Sequence, residues 1–248
     1  MFLAIDIGNT NIKCGIYDNN DLIKIYKVPS VKPEIEEFFE FLKNYDIKTS
    51  VISSVVPELD NKVINLLNYK YKIKTLSVNF DTNTGIKIKL PKPQELGADR
   101  IVNACAAYNM YSKALIVIDA GSAITFDIID NEGNFFGGII MPGVNMQLKA
   151  LHSYTSKLPL IELDDIENIV ASNTKDAILA GTVIATACAI DGLIKRVKQK
   201  LDKDIIIVGT GGNAEFLQKY MEYKFDYINS NLTLEGLKYI GIRNFKTL

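Results

Sequence analysis

The sequence predicts an α/β chain built from a duplicated unit, and two stretches carry that prediction. Residues 4–17 run as an apolar segment ending on Asp6, a Gly8-Asn9-Thr10-Asn11 turn, and then Ile12, Cys14 and Ile16 alternating with other residues. Residues 115–128 repeat the construction with an apolar run, Asp119, Gly121, a hydroxyl-rich turn and an alternating strand. Each reads as strand, turn, strand with a carboxylate at its mouth. In the first copy Gly8 lets backbone approach a ligand, and the turn amides with the Asn and Thr side chains suit phosphate oxygens. Lys13 adds a cation, and Asp6 is able to hold a divalent metal directly or through water. An ordinary hairpin with an Asx-type turn accounts equally well for one such stretch. Two matching copies favour a pair of phosphate-gripping hairpins facing each other across a cleft.

The elements follow in order. Strands are expected at 2–7, 12–17 and 22–28, after which Pro33 opens a helix with Ile35, Phe38, Phe39 and Leu42 on one face. A buried strand at 49–53 precedes a helix begun by Pro57, with Leu59, Val63, Leu66 and Leu67 inward. Residues 73–78 form a strand, and a loop runs through Thr84-Gly85 and Pro91-Lys92-Pro93. A helix over 98–111 then carries Ile101, Cys105 and Tyr108 on one side. The second half repeats the order, with strands at 114–119, 124–129 and 134–140 and an Asn131-Glu132-Gly133 turn resembling Asp18-Asn19-Asn20. Helices are expected over 144–152 and 175–200, a strand over 204–208, a helix over 212–220 and a strand over 224–228. A last helix over 233–243 is capped by Asn231 or Thr233. This β-β-β-α-β-α-β-α order is that of a ribonuclease-H-like unit, a mixed five-stranded sheet covered by helices. Two such domains in tandem, residues 1–112 and 113–248, give the architecture of the acetate and sugar kinase, Hsp70 and actin superfamily.

Composition narrows the class of partner. The 248 residues are long enough for two cores, and 48% hydrophobic with 23% charged residues is a globular balance. A net charge of -1 points to neither a nucleic-acid nor a membrane partner. The basic run at 195–200 reads as a solvated helix end that offsets the dipole. Cys14, Cys105 and Cys188 are far apart and odd in number, so they read as small buried side chains in a reducing compartment. Met1 runs straight into a strand, which leaves no signal peptide, and no uninterrupted apolar run reaches membrane-span length. A cytoplasmic protein is expected.

Further motifs carry chemistry of different weight. Residues 206–213 form a strand emptying into Gly209-Thr210-Gly211-Gly212, a weak match to a dinucleotide loop that lies in the wrong place for one. In a duplicated architecture the same turn offers a backbone surface for an adenosine. No G-x-x-x-x-G-K-[ST] loop is present. Gly97-Ala98-Asp99-Arg100 opens a helix, which suits either plain helix-dipole chemistry or an acid beside an anion clamp. His152, the single histidine, reads as a helix-surface residue, and residues 137–143 as a strand end turning into a helix.

These motifs together resemble the type III pantothenate kinase family over nearly the whole chain. DIGNTNIK at 6–13 resembles its first phosphate motif, GADR at 97–100 its substrate and catalytic motif, and DAGSAITFD at 119–127 its second phosphate motif. GGIIMPG at 137–143, Asn173-Thr174, Thr210-Gly211-Gly212 and LTLEGL at 232–237 match in order and spacing. The resemblance implies ATP-dependent phosphorylation of pantothenate at its primary hydroxyl to 4'-phosphopantothenate, the first step to coenzyme A. It implies that Asp99 accepts the proton and that Gly97, Ala98 and Arg100 hold pantothenate. It further implies that Thr174 contacts pantothenate from the partner subunit of a homodimer. ATP would be bound by Asp6, Ile7, Gly8, Asn9, Thr10, Asn11, Ile12, Lys13 and Ser122. Asp119 would hold a monovalent cation, K⁺ or NH₄⁺, and Mg²⁺ would bridge phosphates near Asp6. Two positions depart from the family. Asp119-Ala120-Gly121-Ser122 stands where Asp-Phe-Gly-Thr is common, with Ser122 keeping the hydroxyl, and Leu90 stands where a tyrosine is frequent. Competing readings are a nucleotide-binding regulatory homologue and a kinase for another small hydroxylated substrate.

Overall fold

The computed structural model describes residues 1–31, 33–201 and 204–245. By contacts the chain divides into two compact units. One takes Met1–Ser112, Ile129–Gly137 and Asn231–Leu248, and the other takes Lys113–Ile128 and Gly138–Ser230.

The first unit begins with the strands β1 (Phe2–Ile7), β2 (Asn11–Asp18) and β3 (Asp21–Pro29). A short helix α1 (Ile35–Phe38), the strand β4 (Thr49–Ser54), the helix α2 (Pro57–Asn65) and the strand β5 (Lys74–Ser77) follow. The sheet order is β3-β2-β1-β4-β5, with the two hairpin pairs antiparallel and β1, β4 and β5 parallel. One face buries Leu3, Ile5, Ile7, Ile12 and Ile52 under Phe39, Leu42, Leu59, Val63 and Leu67. The expected helix after Pro33 is in fact one α turn followed by a 3₁₀ turn over Phe39–Asn44. The tighter winding puts Phe39 and Leu42 on one line facing the core, while Phe41 stacks on Tyr26 with ring centroids 3.8 Å apart.

The two-residue strand β6 (Lys87–Ile88) falls inside the expected loop, where it pairs with Asn134 and Phe135. The helix α3 (Ala98–Tyr111) has the bounds the sequence predicts. It ends on Ser112 in the left-handed conformation, φ 50°.

The second unit carries β7 (Leu115–Ala120), β8 (Ala123–Ile129) and β9 (Asn134–Pro142), of which the last begins in the first unit. Then come α4 (Val144–Ser153), α5 (Thr174–Leu179), α6 (Ala185–Leu201), β10 (Ile206–Thr210), α7 (Ala214–Gln218) and β11 (Tyr227–Ile228). The strands run in the order β11-β10-β7-β8-β9, with β10 parallel to both β7 and β11. A π turn over Ala180–Ile184 joins α5 to α6 into one helix of 28 residues. That helix is long and apolar enough to cross a membrane, contrary to the sequence reading. Its Val183, Ala187, Ile190 and Ile194 lie in the core of the unit, against Ile116, Ile118 and Phe126. Cys188 falls off this stripe and is exposed, so the expectation of three buried cysteines fails there, while Cys14 and Cys105 are buried.

Two elements here are shorter than expected. Asn213 N–H donates to the Ala120 carbonyl at 3.0 Å, so α7 starts beyond it. The segment before β11 is occupied by Asp226, whose Oδ2 accepts from Ile207 N–H at 2.7 Å.

The last helix, α8 (Leu232–Asn244), belongs with the first unit and packs on α3, β1 and β4. Asn231 precedes it at the cap position without capping it by its side chain, and Thr233 lies inside it. The side-chain cap expected from one of them is absent: Asn231 Oδ1 accepts from Lys13, and Thr233 donates its hydroxyl to Asn103, as described below.

Candidate active site

The first hairpin is built as the sequence predicts. Asp6 is the penultimate residue of β1, and its register partners are Lys13 on β2 and Ser53 on β4. Paired residues of adjacent strands project to one face, so the three side chains share a row. The turn is held by Gly8 N–H donating to the Asn11 carbonyl at 3.0 Å. Ser30 braces it with its hydroxyl on the Gly8 carbonyl at 2.6 Å and its N–H on the Thr10 carbonyl at 2.9 Å. Asn9 and Thr10 are exposed, whereas Ile7 and Ile12 are fully buried and have only backbone to offer a ligand.

Lys13 Nζ donates to Asn231 Oδ1 at 2.8 Å. Burial pulls the Lys13 pKa down, opposed by the charge of Asp6 and assisted by Lys27. Ser53 is fully buried, and its hydroxyl has no hydrogen-bond partner among the described residues.

The GADR segment forms the start of α3 in the same unit. Gly97 is its N-cap, and a Cβ there would stand 2.5 Å from Asp99 Oδ1, so the carboxylate folds back over the glycine. Asp99 Oδ1 accepts the Arg100 N–H at 2.8 Å. Burial raises the Asp99 pKa, and the backbone bond from Arg100 and its positive charge oppose the shift without cancelling it. The Arg100 guanidinium stands 5.8 Å from the centre of the Phe135 ring. Beside it opens a cavity of about 400 Å³ lined by Leu90, Pro91, Lys92, Glu95, Leu96 and Arg100.

The second hairpin lies in the other unit. Asp119 and Thr210 are register partners, and Gly121 N–H donates to the Ala123 carbonyl at 3.0 Å. Gly211 has φ 85°, and a Cβ on it would stand 2.4 Å from Asp119 Oδ1. Gly143 is equally constrained, since a Cβ there would meet the Ser122 carbonyl at 2.5 Å. The glycines at 211 and 143 thus let the Gly209–Gly212 turn and the end of β9 close on the Asp119–Ser122 turn. Ser122 and Gly212 are exposed, and a Cβ on Gly212 would meet nothing within 4 Å. Thr174 is exposed at the first position of α5, behind the Asn173 cap, beside a cavity of about 640 Å³.

Within single units, then, the structure groups Asp6 with Lys13, groups Gly97 with Asp99 and Arg100, and groups Asp119 and Ser122 with the two glycine turns. Sequence reasoning missed Ser53, and it saw Asn231 only as a cap rather than as the partner of Lys13. Among the described residues no group of three or more His, Cys, Asp or Glu side chains forms a metal cage. The lone carboxylate of Asp6 fits Mg²⁺, which keeps several waters and is shared with phosphates, and does not fit a cation enclosed by protein oxygens. His152 is exposed on α4, its Nδ1 3.0 Å from the Leu158 carbonyl, as expected of a surface residue.

This mixed α/β fold is that of the acetate and sugar kinase, Hsp70 and actin superfamily. Similar solved structures include an inorganic polyphosphate/ATP-glucomannokinase from Arthrobacter sp. strain KM. It is 14% identical, with 98% of this chain and 99% of that one covered and a TM-score of 0.53. A Sinorhizobium meliloti protein described as a 2-dehydro-3-deoxygalactonokinase is 10% identical over 100% and 98% of the two chains, at a TM-score of 0.58. A conserved Campylobacter jejuni protein described as a Baf family transcriptional activator is 27% identical over 98% of each chain, at a TM-score of 0.61. A family model for type III pantothenate kinase matches residues 2–196. The chain belongs to the type III pantothenate kinase family, a kinase family that uses ATP and a divalent metal.

Proposed function

We propose that this protein transfers the γ-phosphoryl group of ATP to the primary hydroxyl of pantothenate, giving 4'-phosphopantothenate. The observation that carries the reading is Asp99, a half-buried carboxylate in the first turn of α3 whose pKa burial raises and whose neighbour Arg100 lines an open cavity. Asp99 accepts the hydroxyl proton as transfer proceeds, and Arg100 with Gly97 and Ala98 orients pantothenate. The Asp6–Lys13 turn and Ser122 bind ATP, with Asn9, Thr10 and the turn amides as donors to phosphate oxygens. Mg²⁺ held near Asp6 would offset phosphate charge, and Asp119 would hold K⁺ or NH₄⁺. Phosphoryl transfer of this kind depends chiefly on positioning and charge stabilisation. Thr174 completes the pantothenate pocket of a partner subunit in a cytoplasmic homodimer.

Leu90 lines the cavity next to Arg100, which supports a more apolar substrate wall than a tyrosine would give. A second reading, a nucleotide-binding regulator, draws on the description of the Campylobacter jejuni neighbour. ADP release measured with and without pantothenate separates them. Release that requires pantothenate supports the kinase reading, and ATP binding with no release under either condition favours the regulator.

A further inference from the structure

The run Asn231-Leu232-Thr233-Leu234-Glu235-Gly236-Leu237 opens α8 and supplies none of the residues assigned above to ATP, pantothenate or cations. Four of its residues reach other elements of the same compact unit. Asn231 Oδ1 accepts Lys13 Nζ at 2.8 Å, just past the first hairpin turn. Thr233 Oγ1 donates to Asn103 Oδ1 at 2.8 Å, and Asn103 on α3 is 1% exposed. Tyr17 OH donates to Glu235 Oε1 at 2.9 Å, while Lys238 Nζ donates to Glu235 Oε2 at 2.6 Å. A Cβ on Gly236 would stand 2.2 Å from the Val102 carbonyl oxygen, so α8 and α3 touch along their backbones there.

Asn103 follows Asp99 by four residues on α3, one turn further along the same face. A helix held at Val102 by backbone contact and at Asn103 by a buried hydrogen bond has little freedom to rotate or slide at its first turn. We propose that Thr233 is a positioning residue, which through Asn103 fixes the rotation of α3 and so aims the Asp99 carboxylate at the substrate hydroxyl. The proposal rests on the reading of Asp99 as the proton acceptor. The Asn231–Lys13 bond gives the same stretch a hold on the first hairpin, so the start of α8 sets the base and the phosphate turn from one anchor.

Thr233→Val removes the hydroxyl at nearly constant shape, and Thr233→Ser keeps it. With misplacement by an ångström able to cost orders of magnitude, the valine variant is expected to lose about tenfold or more in kcat while the KM for ATP stays within about twofold. Serine is expected to restore kcat to within about threefold of wild type. Amide hydrogen exchange at residues 100–103 is expected to accelerate in the valine variant and not in the serine variant. Wild-type kcat in the valine variant overturns the proposal whatever its melting temperature, and so does a loss that serine fails to restore. If the valine variant does not fold, Thr233→Ala is judged by the same criteria. Asp99→Asn, assayed alongside, separates the two layers. If it keeps its turnover, the base assignment falls, and the exchange data alone decide whether Thr233 holds α3. If it is inactive while Thr233→Val turns over normally, only the positioning role falls.

Discussion

Asp99 is the residue whose surroundings decide most. Burial holds its pKa above the ordinary aspartate value, against the Arg100 N–H and guanidinium. A carboxyl whose pKa is raised on folding adds stability that is complete below its unfolded pKa and is lost as pH rises through the folded value. At neutral pH the ionised Asp99 therefore costs stability. Asp99→Asn is accordingly expected to melt at the same or a higher temperature by calorimetry, while kcat falls about 10²–10⁴-fold, the range typical of a lost general base. Because the base must be ionised, wild-type kcat/KM should also decline on the acid side at a pH above that of an unperturbed aspartate. Near-normal turnover with a lowered melting temperature would leave Asp99 as a helix-end charge. The sequence alone left these two roles open for Asp99, since both place an acid in the first turn of a helix. The observation that bears on the choice, burial of the carboxylate, depends on folded surroundings that spacing does not encode.

At the scale of elements, the α3–α8 contact is the most exposed to test. A side chain at Gly236 would press on the Val102 carbonyl, a backbone atom with no rotamer to yield. Gly236→Ala is expected to destabilise by about 1–3 kcal/mol in urea unfolding, the usual cost of overpacking, and a change within about 0.5 kcal/mol would show that the helices part freely. Elements with strong local signals were legible. Both hairpins announce themselves by alternation around an Asp-x-Gly turn, and α3 by a glycine and an acid ahead of an apolar stripe. Elements set by distant partners were not. Lys87-Ile88 is a strand because it meets Asn134 and Phe135, and Asn231 leaves its capping role to bond Lys13, 218 residues away in sequence. The aromatic cluster around Phe41 turned an expected α-helix into a 3₁₀ turn, a choice made by packing against Tyr26.

For the whole molecule, family membership and the two hairpins were legible because motif order along the chain is a linear property. The partners of those motifs in space were legible only in part, Ser53 and Asn103 being the clearest omissions. Two predictions belong to this scale. Asp119, pressed between Gly121 and Gly211, would supply the oxygen for a large monovalent cation, so turnover should depend on K⁺ or NH₄⁺. Equal rates after replacing K⁺ with Na⁺ or Tris would remove that role. Light scattering alongside turnover should find a dimer, since Thr174 is assigned to a partner's pocket, and a fully active monomer would contradict the assignment. The central claim is that pantothenate receives the γ-phosphate, and ³¹P NMR of the enzyme with Mg·ATP, K⁺ and pantothenate tests it most directly. The account predicts ADP and a new phosphomonoester signal growing in equal amounts, the ester coupled to the protons of the primary carbon of pantothenate. ATP left unchanged, or ADP accompanied only by inorganic phosphate, would contradict it.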